Sequence, residues 1–168
     1  TRSREYVEQR VRAGVLEQGT VDLIEASGIG ARMRREGLVH RGIELGFGGS
    51  TQRIDFPSLT NGRAITIYAQ QEIVKDLIRA RLAAGGRILF EVDAVSVHDF
   101  DAGEPCVRFL SGGERVELKC RMIAGCDGFH GVCRAAIPAG ALTAFERTYP
   151  FAWLGILADS PPPADELI

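Results

Sequence analysis

The chain has 168 residues, 45% hydrophobic and 25% charged, the composition of one ordinary soluble domain with enough apolar content for a core. Its 20 basic and 22 acidic residues leave a formal charge of -2, which gives no global electrostatic reason for nucleic acid or an anionic membrane as partner. Cys106, Cys120, Cys126 and Cys133 form no C-x-x-C pair and His40, His98 and His130 do not recur at metal-ligand spacing, so no metal is expected and the cysteines read as free thiols in a reducing cytoplasm.

In chain order, Thr1 to Gln9 is charged and aperiodic, and Arg10-Val11-Arg12-Ala13-Gly14 leads into a predicted helix over Val15 to Ala26, stopped by Gly28. A short basic helix is expected over Ala31 to Glu36. Ile43 to Phe47 alternates apolar with small or charged residues, and Gly48-Gly49 turns it back into Gln52 to Phe56 as a hairpin. Pro57 to Gly62 reads as loop. Ala64 to Tyr68 is rich in β-branched residues, and Ile73, Val74, Leu77, Ile78 and Leu82 then recur at helical spacing up to Gly85-Gly86. Arg87 to Glu91 reads as the next strand, completing a βαβ-like unit. Val92 to Phe100, Cys106 to Leu110 and Arg115 to Leu118 form a predicted antiparallel meander, and Met122 to Ala124 a buried strand. A helix is expected over His130 to Ile137, and Ala152 to Ala158 is a last strand candidate. The order of elements is α/β or α+β, a nucleotide-binding sheet interrupted by insertions.

Four sets of residues are suited to cofactor chemistry. Glycines 125, 128 and 131 surround Asp127 where an apolar run meets a helix start. Such a junction lets the backbone turn sharply near a ligand and offers N–H donors to phosphate oxygens, while a carboxylate there orders the turn or accepts from sugar hydroxyls. A tight structural turn fits the same glycine spacing. Arg10 and Arg12 precede a predicted helix start, where the helix dipole disfavours positive charge; a bound pyrophosphate or plain solvation would both account for them. Gln70 opens a helix without a good N-cap, so its orphan donors serve either a cofactor or water. His130 and Arg134, four apart, are expected on one helix face, as a phosphate contact or a solvated surface.

Taken together, Arg10 to Gly19, Tyr68-Ala69-Gln70, Gly125-Cys126-Asp127-Gly128 and Tyr149-Pro150-Phe151-Ala152-Trp153-Leu154-Gly155 resemble, in the same order and at similar intervals, stretches of the single-component FAD-dependent aromatic hydroxylases. The similarity runs from about Tyr6 to Ile168 and points to the members that act on 4-hydroxybenzoate. It implies a Rossmann-like FAD/NAD(P)-binding domain interrupted by a β meander, partial over 1–147, with a β-rich substrate domain beginning at 148–168. It implies that Arg10, Val11, Arg12, Ala13, Gly14 and Val15 lie along FAD, with Gln70 and Asp127 also on the cofactor. Arg2, Tyr6, His130 and Arg134 would serve NADPH, Arg2 favouring it over NADH because a guanidinium suits a 2′-phosphate. The implied reaction spends NADPH and O2 to convert 4-hydroxybenzoate to 3,4-dihydroxybenzoate.

The G-x-G-x-x-G turn that opens this fold in the family does not occur in the chain, so an internal piece of a longer cytoplasmic enzyme is expected, a homodimer at full length. No catalytic acid or base is expected within Thr1 to Ile168; Trp153 and Leu167 are expected to serve packing. The competing expectations are a related FAD hydroxylase of another aromatic substrate and a non-catalytic α/β fragment that binds no flavin.

Overall fold

The computed structural model describes residues 1–152, 154, 156, 161 and 164–168. The chain divides into two compact units, one of Arg4–Ile88 with Ala158–Ile168, the other of Thr1–Ser3 with Leu89–Leu157.

In the first unit, α1 (Arg4–Gln9) packs on α5 (Gln70–Ala83). Its charges, which look aperiodic in sequence, pair along one side of the helix: Arg4 Nε donates to Glu8 Oε1 at 2.6 Å and Gln9 Nε2 to Glu5 Oε1 at 3.2 Å. The helix expected from Val15 begins three residues later. Val15–Glu17 is β1 and Gln18–Ala26 is α2, because β1 pairs antiparallel with β5 (Ile65–Ile67) and this ladder prevails over helix propensity. Ser27 caps α2 and Gly28 follows at φ +79°, a left-handed stop only glycine adopts without strain. α3 (Ala31–Glu36) lies where expected. β2 (Leu38–His40), which the sequence does not signal, takes the other edge of β5, giving the antiparallel order β1-β5-β2.

Leu16, Ile24, Met33 and Tyr68 form the core under this sheet, with Val21, Ile29 and Ile73 packed against them. β3 (Gly42–Phe47) and β4 (Ser50–Asp55) make the predicted hairpin, closed by Gly48 and Gly49, both at positive φ, as a two-residue turn requires. The loop expected over Pro57 to Gly62 is instead α4 (Phe56–Thr60). Asp55 Oδ2 accepts the Ser58 N–H at 3.0 Å, proline stands in the first turn and Asn61 closes the helix at φ 58°, so the apparent loop residues are its two caps. Leu167 joins β3 by a parallel bridge to Ile43, and Glu166 receives Arg53 Nε at 2.7 Å and Nη2 at 3.0 Å.

The second unit is built on the predicted meander, β6 (Asp93–His98), β7 (Cys106–Ser111) and β8 (Glu114–Lys119), paired antiparallel in that order. A short helix, α6 (Val132–Ala135), packs beside β6. Two expected strands do not form. Arg87 to Glu91 and Met122 to Ala124 are irregular, and Met122 is 82% exposed rather than buried. An extended apolar run becomes a strand only where a neighbouring strand takes its N–H and C=O groups in a ladder, and neither has one among the described residues; the Glu91 N–H alone goes to the Arg2 carbonyl, at 3.2 Å.

The fold is therefore mixed α and β. Every named strand pair is antiparallel, so the parallel βαβ unit expected around α5 is not among the described strands. In the strand candidate Ala152 to Ala158, Trp153, Gly155, Leu157 and Ala158 lie outside the described residues.

Candidate functional site

In the first unit the structure brings two separated motifs together. Tyr68 N–H donates to the Gly14 carbonyl at 2.7 Å and Gln70 N–H to the Ala13 carbonyl at 3.3 Å. A Cβ added to Gly14 would stand 2.9 Å from the Ala69 Cα and 3.2 Å from its N. The close approach made possible by Gly14 is therefore to the Ala69 backbone, which docks the Arg10 to Gly14 segment against the start of α5. Arg10, Val11, Arg12, Ala13 and Val15 are exposed. Neither Arg10 nor Arg12 pairs with a carboxylate among the described residues, and the Arg10 guanidinium lies 5.9 Å over the Tyr6 ring. Because α2 starts only at Gln18, the helix-dipole argument for these two arginines does not hold. Gln70 does open α5, whose N-cap position, Ala69, offers no side-chain acceptor. The next residue, Gln71, has its Oε1 buried without a hydrogen-bond partner among the described residues, as does His40 Nδ1.

Behind this junction lies a polar cluster that the sequence reading missed. Tyr68 is 5% exposed and its hydroxyl donates to Asp76 Oδ2 at 2.7 Å. Arg32 Nη1 donates to Asp76 Oδ1 at 3.2 Å, its Nη2 bonds Glu72, and its Nε reaches Glu36 at 2.8 Å. Hydrogen bonding to Glu72 holds the Arg32 guanidinium above its ordinary pKa. Burial, reinforced by Asp76, raises the Tyr68 phenol well above its own, so it remains a donor. The available signal was Asp76 itself, an acid between Ile73 and Ala80 on the inner stripe of a predicted helix.

In the second unit, Asp127 organises its turn. Asp127 Oδ2 accepts the Cys133 N–H at 2.9 Å, one of the orphan donors at the start of α6, and this backbone bond is the main cause holding the carboxyl below the usual aspartate range. Gly128 turns at φ +76°. A Cβ at Gly131 would fall 2.0 Å from the Asp127 carboxyl carbon, so that glycine is what lets the carboxylate reach Cys133. The helix expected from His130 begins at Val132; His130 is in the preceding turn and does not share a helix face with Arg134. Both instead contact Phe129, whose ring lies edge-on to His130 with centroids 5.0 Å apart and 4.6 Å beneath the Arg134 guanidinium. Arg2 also belongs to this unit and accepts the Glu91 N–H on its carbonyl at 3.2 Å, whereas Tyr6 belongs to the first.

The sequence pattern of the FAD binding domain family matches residues 2–167. The chain belongs to that family. A curated relative, the p-hydroxybenzoate hydroxylase of Acinetobacter baylyi (strain ATCC 33305 / BD413 / ADP1), is 48% identical over 167 residues, covering 99% of this chain and 41% of the relative. The chain thus spans about two fifths of that relative's length.

The residues at the Gly14–Ala69 junction suit the FAD of the family. Two exposed guanidiniums without carboxylate partners among the described residues are the donors a pyrophosphate takes. An uncapped helix start beside them adds positive potential, and the Gln71 amide oxygen is an acceptor still open to a donor. Among the described residues no helix is long and apolar enough to cross a membrane.

Proposed function

We propose that this chain is the cofactor-positioning part of a flavoprotein monooxygenase that converts 4-hydroxybenzoate, NADPH, a proton and O2 to 3,4-dihydroxybenzoate, NADP+ and water. The observation that carries the reading is the docking of Ala13 and Gly14 on Tyr68 and Gln70, beside Arg10 and Arg12, which have no carboxylate partner among the described residues, in a chain 48% identical to a p-hydroxybenzoate hydroxylase. FAD, when bound, couples NADPH oxidation to the activation of O2.

The chain's own part is binding and orientation. Arg12 bonds the pyrophosphate through its planar fork, with Arg10 adding charge beside it. Val11, Ala13, Gly14 and Val15 line the flavin with backbone and small apolar groups, and Gln70 presents its exposed amide at the helix start. Asp127, which orders its own turn by accepting the Cys133 N–H, is the residue of that turn that the resemblance assigns to FAD. Arg2, Tyr6, His130 and Arg134 bind NADPH. No residue here moves a proton at the reacting carbon.

The same reading assigns 1–147 to a Rossmann-like FAD-binding domain and 148–168 to the start of the substrate domain. It takes the full-length protein as a homodimer acting on an aromatic acid. Four free cysteines support a reducing, cytoplasmic setting.

The test is to incubate the purified full-length protein with FAD, NADPH and, in parallel, 4-hydroxybenzoate, 3-hydroxybenzoate and phenol, with products separated by chromatography. The expected result is 3,4-dihydroxybenzoate formed with matching NADPH consumption and little turnover of the other two. A preference for another aromatic would overturn the substrate assignment, and a colourless protein that takes up no FAD would overturn the hydroxylase reading.

A further inference from the structure

We infer that Tyr68, Asp76 and Arg32 form a positioning relay that sets the Gly14–Gln70 junction for FAD, an inference that rests on the cofactor reading above. Tyr68 is held from both ends. Its N–H is fixed to the Gly14 carbonyl at 2.7 Å and its hydroxyl to Asp76 Oδ2 at 2.7 Å. It follows β5 and precedes α5, so its side chain, laid along the first turns of α5, fixes the angle between that strand and that helix. The same angle decides where Gln70 and the uncapped helix start stand relative to Ala13 and Gly14.

Asp76 is itself held. It is 8% exposed and shares Arg32 with Glu72, while Arg32 also grips Glu36 on its own helix. The relay therefore runs from α3 through α5 to the backbone that carries the proposed flavin contacts. Its surroundings are the apolar core of Leu16, Ile24 and Met33, where a phenylalanine at position 68 would pack as well as tyrosine. Burying ionised groups beside such a core gains little stability over apolar packing. The feature a hydroxyl, a carboxylate and a guanidinium add is direction, because each hydrogen bond has a preferred length and angle. Tyr68, Asp76 and Arg32 are accordingly positioning residues that touch neither cofactor nor substrate.

The experiment compares full-length wild-type protein with Tyr68→Phe, Asp76→Asn, Arg12→Lys and Ile24→Val, measuring FAD affinity by quenching of flavin fluorescence and apoprotein stability by thermal melting. Ile24→Val trims the same core without touching the relay, so it reports what loss of stability alone does to FAD binding. The relay predicts that Tyr68→Phe weakens FAD binding about threefold to tenfold, a part of the charge-assisted hydrogen bond to Asp76 that it removes. Asp76→Asn should do at least as much, while Ile24→Val melts lower with wild-type affinity. Wild-type affinity in Tyr68→Phe would overturn the relay, as would an equal loss in Ile24→Val. If Arg12→Lys weakens FAD binding and Tyr68→Phe does not, the relay alone fails. If Arg12→Lys also binds as wild type, or the wild-type protein itself takes up no FAD, the cofactor reading fails with it.

Discussion

The Tyr68 amide hydrogen bonds the Gly14 carbonyl oxygen at 2.7 Å, and the residue after Tyr68 fills the space a side chain at position 14 would need. Gly14→Ala would place its Cβ 2.9 Å from the Ala69 Cα, against backbone that cannot swing aside. The cost expected is about 1–3 kcal/mol, typical of overpacking in a well-packed region. Urea denaturation of the full-length apoprotein measures it, and a wild-type midpoint would mean that the junction is looser than described.

Asp127 gives a prediction with a sign in pH. Its carboxyl lies below the ordinary range in the folded chain because it accepts the Cys133 N–H. The bond's contribution is therefore fully present above the unfolded aspartate value, about 3.9, and is lost as pH falls through the lower folded value. Amide hydrogen exchange at Cys133 should show protection that survives Asp127→Asn, whose amide oxygen still accepts, and disappears in Asp127→Ala. Gly131→Ala should resemble Asp127→Ala, since its Cβ would displace the carboxylate. Equal protection in all four proteins would remove Asp127 as the organiser of the turn.

Phe129 holds two of the side chains assigned to NADPH in the second unit, His130 edge-on and Arg134 above its face. Phe129→Leu keeps an apolar side chain but removes the ring quadrupole that attracts the guanidinium. The KM for NADPH should rise about twofold to fivefold, as expected for a half-exposed cation–π pair, with kcat unchanged. Steady-state kinetics of the full-length enzyme check this, and a fall in kcat at constant KM would point to a role in a later step.

The sequence was most legible where structure is local. Ala31 to Glu36, the α5 stripe and both double-glycine hairpins follow from spacing and turn chemistry within a few residues. It was least legible where a partner far along the chain decides. Val15–Glu17 has helical company on its C-terminal side and becomes strand because Ile65–Ile67 pairs with it; Arg87 to Glu91 has strand-like residues and remains irregular without a paired strand among the described residues. Leu38–His40 was missed for the converse reason, since only its register with β5 makes it a strand. The resemblance marked Arg10 to Gly14 and Gln70 individually, but their contact, and the Tyr68–Asp76–Arg32 cluster behind it, are long-range relationships that no spacing rule reports.

The central claim is that FAD lies along Arg10 to Val15, with Arg12 on its pyrophosphate. Fluorescence titration of FAD into full-length apoprotein tests it directly, comparing wild type with Arg12→Lys and with Arg108→Lys, a control whose arginine pairs with Glu117 at 2.7 Å in the second unit. Lysine keeps the charge but not the planar fork, so Arg12→Lys should weaken FAD binding about tenfold, the scale of a charge-assisted hydrogen bond, while Arg108→Lys binds as wild type. Equal affinity in all three proteins would contradict the account.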